Sequence, residues 1–210
     1  MYWRKIIKAI FVFVFLSSCI DKKDKLPYYN TPDFTPLWNV ADSDTIHSIA
    51  SFSFKDQNGE AITNETVKDK IYITNFFFTT CSSICPNMMH NLKAVSDTFE
   101  KDNDVLILSH SVMPWVDSVT QLKKYADDQQ INNPNWHLLT GSKSQIYSLA
   151  RTSYFAEEEL GFTKDSTQFL HTEYVLLVDK NKHIRGIYKG TLPLEMKRII
   201  QDIYLLKKED

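Results

Sequence analysis

The sequence predicts an α/β domain built on a central mixed sheet flanked by helices, and three observations carry that reading. Ile71 to Phe78 (IYITNFFF) is a nearly continuous run of β-branched and aromatic residues, the composition of a strand buried on both faces. Pro86 to Phe99 follows with Met89, Leu92, Val95 and Phe99 on one helical stripe. Val105 to Ser111 is a second buried strand, so strand, helix and strand form a right-handed crossover between parallel neighbours.

The remaining elements fit around that unit. Upstream, Ile49 to Phe54 and Glu60 to Thr63 flank Asp56-Gln57-Asn58-Gly59, a turn sequence that predicts an N-terminal β-hairpin. Downstream, Ser118 to Asp128 reads as a helix with Leu122 and Tyr125 facing inward. Trp136 to Leu139 is a short strand and Lys143 to Ala150 a helix. Glu173 to Asp179 and Ile184 to Lys189 are strands joined at Lys180-Asn181-Lys182, and Leu194 to Leu206 closes the chain with Met196, Ile199, Ile200 and Ile203 in register. A parallel crossover followed by an antiparallel hairpin and a last helix is the thioredoxin-like arrangement. Ligand sites in open sheets lie outside the carboxyl ends of the strands, where Thr79 to Pro86 falls.

The first residues read as targeting rather than fold. Arg4, Lys5 and Lys8 precede an unbroken apolar run, Ala9 to Leu16, too short to span a bilayer alone. Leu16-Ser17-Ser18-Cys19 then resembles a bacterial lipobox, which implies cleavage before Cys19 and a lipid on its sulfur. Residues 1–18 are thus expected to be a lipoprotein signal peptide, 19–44 a proline-punctuated membrane tether with Pro27, Pro32 and Pro36, and 45–210 the domain. The expected location is a bacterial cell envelope, lipid-anchored, with the domain outside the cytoplasm on the periplasmic side.

Charge and cysteine content exclude other classes. A formal net charge of −2 falls to about −5 once Arg4, Lys5 and Lys8 are removed, which offers no basic surface for nucleic acid. Of the three cysteines, Cys19 is spoken for, leaving Cys81 and Cys85. A bridge between them closes too short a loop to staple the fold, so the pair calls for a chemical role.

The pair sits in Phe78-Thr79-Thr80-Cys81-Ser82-Ser83-Ile84-Cys85-Pro86. Pro86 suits a first helical position, which places Cys85 at or beside the helix N-cap, near unpaired N–H groups that favour a thiolate. A three-residue gap differs from the two-residue gap of dithiol oxidoreductases, and no second cysteine pair completes a zinc site. Two soft thiolates with an imidazole suit copper. Six histidines compete for that place. His90 faces away from the cap, His47 lies near the tether, His137 opens a strand, and His183 falls in a hairpin turn where solvent is expected. His110 closes a strand at the cysteine end of the sheet and is a second candidate beside His171, in the loop before the Glu173 strand.

The motif Phe-(any two)-Cys-(any three)-Cys-Pro after a buried strand, with His171 before another, resembles the Sco copper chaperones, also called the SenC family. His110-Ser111-Val112-Met113-Pro114 to Tyr125-Ala126, Trp136 to Gly141, and Phe169-Leu170-His171-Thr172 to Val178-Asp179 resemble further family segments, so the likeness covers roughly Ser48 to Leu205. It implies a copper ion, Cu(I) or Cu(II), bound by Cys81, Cys85 and His171. It also implies delivery to the dinuclear copper centre of cytochrome c oxidase subunit II or a related acceptor. On this reading no substrate is turned over, and the protein is a metallochaperone rather than an enzyme. The rival is a thiol–disulfide oxidoreductase in which Cys81 and Cys85 form a redox-active disulfide and keep the acceptor's cysteines reduced. A peroxiredoxin-type enzyme is disfavoured by the lack of a Pro-(any three)-Thr-(any two)-Cys motif. One departure stands out: Met113 replaces the family's usual Asp before Pro114, and a packed thioether is the simpler role for it.

Overall fold

The computed structural model describes residues 25–40, 45–156 and 172–209. Cys19 and His171 lie outside the described residues. In chain order the elements are β1 (Tyr28–Tyr29), β2 (Pro36–Leu37), β3 (Ser53–Lys55), β4 (Ala61–Thr63), β5 (Ile71–Phe77), α1 (Cys85–Thr98), β6 (Val105–Ser111), α2 (Val119–Asp128), β7 (Trp136–Leu139), α3 (Lys143–Thr152), β8 (Tyr174–Val178), β9 (Ile184–Lys189) and α4 (Pro193–Leu206). No helix among the described residues is long and apolar enough to cross a membrane.

Five strands form one mixed sheet in the order β7-β6-β5-β8-β9. β5 runs parallel to β6, and β6 to β7, while β8 and β9 add antiparallel. β5 is buried at every position, as its unbroken apolar composition demands of a central strand. One core lies between the sheet and the inward stripes of α1, α2 and α4, with Ile73, Leu92, Leu122 and Ile199 among its members. A second core fills the other face beneath α3 and the β3–β4 hairpin, around Tyr72, Phe76, Leu108 and Tyr154. α1 approaches the β9 turn so closely that a Cβ on Gly190 would stand 2.6 Å from Met88 Cγ, and only glycine fits there.

The elements from β5 to α4 fall where the pattern puts them, within a residue or two at their ends. Ser118 caps α2 by accepting from Gln121 N–H at 3.2 Å. Two stretches differ. The strand expected over Ile49 to Phe54 is only Ser53–Lys55, because β4 ends at Thr63 opposite Ser53. Ile49 is buried all the same, its N–H donating to Lys182 O at 2.9 Å.

The other difference is the segment read as tether. Its stretch from Leu26 to Tyr29 is docked on the domain. Leu26 N–H donates to Glu209 Oε1 at 2.8 Å. Arg185 donates to Leu26 O and Pro27 O, and its guanidinium lies 4.0 Å from the Tyr28 ring centroid. Arg185 also pairs with Asp179 at 3.0 Å and Glu209 at 2.6 Å. His183, expected in solvent, is buried, with the Tyr28 ring edge-on to it at 5.6 Å. The docked strap supplies the cover that turn composition alone does not reveal.

Candidate metal and thiol site

β5 delivers the chain to Phe77 at the carboxyl edge of the sheet, and a seven-residue connection, Phe78 to Ile84, leads into α1. The connection is fixed at its start. Asp117, fully buried in the turn before α2, accepts from Thr79 N–H at 3.1 Å, Thr79 Oγ1–H at 2.6 Å and Ser111 Oγ–H at 2.5 Å. Gln121 Nε2–H reaches Thr79 Oγ1 at 3.2 Å. Cys81 N–H then donates to Phe78 O at 3.2 Å and closes a turn. The end of β6 and the start of α2 thus hold the cysteine loop. Asp117 was not among the sequence candidates, since its place just before a helix reads as ordinary capping. Its carboxylate draws in the loop from thirty-eight residues away, a long-range contact that local spacing does not encode.

The two cysteines are brought together, but the sulfur that the helix N–H groups reach is that of Cys81 rather than Cys85. Cys85 lies directly beside the N-cap, as expected: it opens α1, with Ile84 as N-cap and Pro86 next to it in the first turn. Its side chain joins the inward stripe with Met88, Met89 and Leu92 and is only 3% exposed. Burial, reinforced by its thiol donating to Cys81, pushes the Cys85 pKa up to about 12. Cys81 is half-buried. Burial alone would raise its pKa, but the Cys85 thiol and the backbone N–H groups of Ser83, Cys85 and Ile84 all donate to its sulfur and hold it below the ordinary thiol value. The helix N-terminus therefore stabilises the Cys81 thiolate, and Cys85 is the protonated partner. The thiolate expected at Cys85 is corrected, because its side chain turns into the core.

Tyr125 lies close by, its ring 5.5 Å from that of Phe77, and burial followed by the neighbouring Cys85 and Cys81 raises its pKa. Met113 is half-buried, and its N–H donates to Ser111 Oγ at 3.1 Å, so the chain at the departure from the family pattern is still tied to the Asp117 cluster.

His110 does not belong to the site. Phe76, which pairs with it across the strands, stacks on its ring at 5.4 Å, and Phe54 and Tyr154 contact it on the second core, whereas Cys85 faces the first. It is fully buried with neither ring nitrogen hydrogen-bonded, and burial depresses its pKa to about 3. His47 is engaged with Ser153 O at 2.8 Å, His137 with Asp56 at 3.0 Å, and His90 is exposed on α1. Among the described residues no cluster of three or more His, Cys, Asp or Glu is set to hold a metal ion. Thr172 stands just before Tyr174, where β8 begins at the same sheet end as the cysteine loop.

Chemically, the arrangement offers two soft donors in mutual contact, one half-buried with its pKa lowered and one buried with its pKa raised. It can bind a thiophilic ion or close a disulfide. The SCO1/SenC family model matches residues 40–206. The chain belongs to the SCO1/SenC family. Among SCO1/SenC proteins, the SCO1 protein homolog of Bacillus subtilis (strain 168) is 28% identical over 204 residues, covering 95% of this chain and 96% of the relative. The structure of BsSco, a member of the Sco family of cytochrome c oxidase assembly proteins in which a disulfide switch has been identified, superposes with a TM-score of 0.66. It is 28% identical and covers 79% of this chain and 96% of that one. The copper-bound ScoI of Bradyrhizobium japonicum shares the fold at a TM-score of 0.59 and 24% identity, covering 75% of this chain and 98% of that one. These SCO1/SenC structures bear out the thioredoxin-like architecture.

Proposed function

We propose that this chain is a copper metallochaperone: Cys81, Cys85 and His171 hold one copper ion, and the ion passes to the dinuclear copper centre of cytochrome c oxidase subunit II or a related acceptor. The observation that carries the reading is the Cys81–Cys85 pair itself, two contacting sulfurs with helix N–H groups aimed at the more exposed one. Family membership and the copper-bound ScoI support the choice of ion. His171 enters from the family motif, and the position of Thr172 supports it. Cys81, with its pKa lowered, gives up its proton to copper more readily than Cys85. Cys85 must give up its proton to bind, so loading releases a proton. The half-exposed Cys81 sulfur leaves an edge where an acceptor thiolate can enter before a donor sulfur leaves.

A second reading rests on the same contact and on the disulfide switch identified in BsSco. Cys81 would attack an oxidised acceptor, and Cys85 would displace the mixed disulfide. Two electrons and two protons would pass to the acceptor, and a Cys81–Cys85 disulfide would remain.

Copper titration of the reduced protein tests the first reading. About one ion per chain should bind, with a thiolate-to-Cu(II) charge-transfer band. Cys81→Ser and Cys85→Ser should abolish the band, His171→Ala should weaken binding, and His110→Ala should change it little. Unchanged binding in both cysteine variants rejects the site. Mixing loaded protein with a reduced two-cysteine acceptor, and the copper-free dithiol with an oxidised one, separates delivery from reduction. We propose further that Cys19 carries lipid and holds the protein on the outer side of a bacterial membrane. Palmitate labelling that persists in Cys19→Ala rejects that anchor.

A further inference from the structure

The strap beginning at Leu26 has a mechanical consequence. Arg185 lies level with Tyr72 near the start of β5, and Glu209 follows the last turn of α4, so Leu26 and Pro27 are clamped at the Ile71 end of the sheet. The cysteine loop leaves from Phe77, at the other end of β5, about 20 Å away along the strand.

Resting on the proposed lipid at Cys19, only seven residue steps then separate the anchor from the clamp, a reach of about 25 Å at full extension. A domain of this size is about 40 Å across. Turning the cysteine end toward the bilayer would lift Leu26 farther than that leash extends. A free tether from Cys19 to Thr45 would reach about 90 Å and allow any orientation. The docked strap removes the inverted orientation.

Charge does not supply the orientation. At the Ile71 end Lys70, Lys180, Lys182, Lys207 and Lys208 are interspersed with Asp69, Asp102, Asp104, Asp179 and Glu209, and Lys207 is paired with Asp102. Arg185 at the same end is taken up by Asp179 and Glu209, and the remaining charges of both signs are interspersed, so the surface offers no concentrated basic patch to an anionic membrane.

We propose that the Leu26–Tyr29 strap, clamped by Arg185 and Glu209, holds the Ile71 end of the domain beside the membrane and presents Cys81 and Cys85 on the membrane-distal end. The partner this geometry fits is a protein that carries its soft copper ligands on a domain raised tens of ångströms above the bilayer, not one that receives the ion at a membrane-embedded site.

Energy transfer from the full-length lipidated chain in vesicles bearing an acceptor fluorophore on the lipid headgroup tests this. In a Cys81→Ser, Cys85→Ser background, a donor is placed at Asn181→Cys, in the β8–β9 turn, or at Leu194→Cys, exposed at the start of α4. Transfer should be several-fold stronger from position 181 than from 194. A flexible Gly/Ser insert of about 20 residues between Lys25 and Leu26 should bring the two toward equality while leaving the clamp intact. Equal transfer without the insert overturns the proposal. Flotation reads the anchor separately: protein that does not float with the vesicles overturns the lipid reading and the leash with it, whereas protein that floats with equal transfer overturns the strap alone.

Discussion

Two buried acidic clusters sit at opposite ends of β5, and they are satisfied in opposite ways. At the Phe77 end Asp117 is surrounded by neutral donors, the Thr79 amide and the hydroxyls of Thr79 and Ser111. At the Ile71 end Asp179 and Glu209 share the Arg185 guanidinium, which also binds two carbonyls of the strap. These bonds are charge-assisted on the acceptor side alone, and opening one leaves no buried cation without its partner. A buried ion cluster is costly to open, because each lost partner leaves a charge in a poor solvent. The cysteine end is therefore built to adjust and the strap end to stay shut.

Removing the guanidinium is the harshest way to break that contrast. Arg185→Ala should cost about 3–5 kcal/mol of unfolding free energy by strandeding two carboxylates and releasing the strap. Urea unfolding followed by circular dichroism measures it, and a loss under about 1 kcal/mol would mean that the cluster is no firmer than the one at Asp117. Asp117→Ala should cost less, about 1–3 kcal/mol, since Thr79 and Ser111 lose acceptors but no charge is left unpaired. Its larger mark should fall on the site, as a shifted copper spectrum that Arg185→Ala leaves in place.

The fully buried His110 adds a pH dependence that belongs to neither cluster. Its folded pKa of about 3 lies below the unfolded value near 6.5, so the unfolded chain binds the extra proton between those limits. Stability from its burial is complete above about pH 6.5 and is lost at about 1.4 kcal/mol per pH unit as the pH falls toward 3. His110→Phe should flatten the slope of stability against pH between 4 and 6 while leaving copper binding unchanged. An unaltered slope would place the acid sensitivity elsewhere. The smallest effect concerns the two sulfurs. Brief iodoacetamide treatment of the reduced protein near neutral pH should modify Cys81 well before Cys85, by peptide mass, because Cys81 is the more exposed and the stabilised thiolate. Preferential modification of Cys85 would reverse the assignment of roles.

Much of this was legible in the sequence. The composition of Ile71 to Phe78 fixes a buried strand whatever surrounds it, and the Cys81 to Pro86 spacing fixes a loop entering a helix. The burial of Cys85 turns on a finer signal. Met89, Leu92 and Val95 continue backward by a helical turn onto Cys85, so the stripe already placed its side chain in the core. The pull of Pro86 toward an N-cap reading hid that continuation. The opposed direction of His110 follows from strand alternation once its partner Phe76 is known. That partner depends on register, which one chain segment does not reveal. The docked strap depends on contacts between residues at the two ends of the chain, beyond any local pattern.

Those end-to-end contacts also set an order of events. Leu26 is synthesised early, yet Glu209, the acceptor of its amide, comes 183 residues later. The loop between them closes only after the final helix exists, and its closure entropy is borne by the assembled sheet rather than by the strap itself. A chain cut short before α4 could gather its cysteines into a sheet and still lack the clasp. The clasp thus forms only once both edges of the described fold, Leu26 and Glu209, are in place.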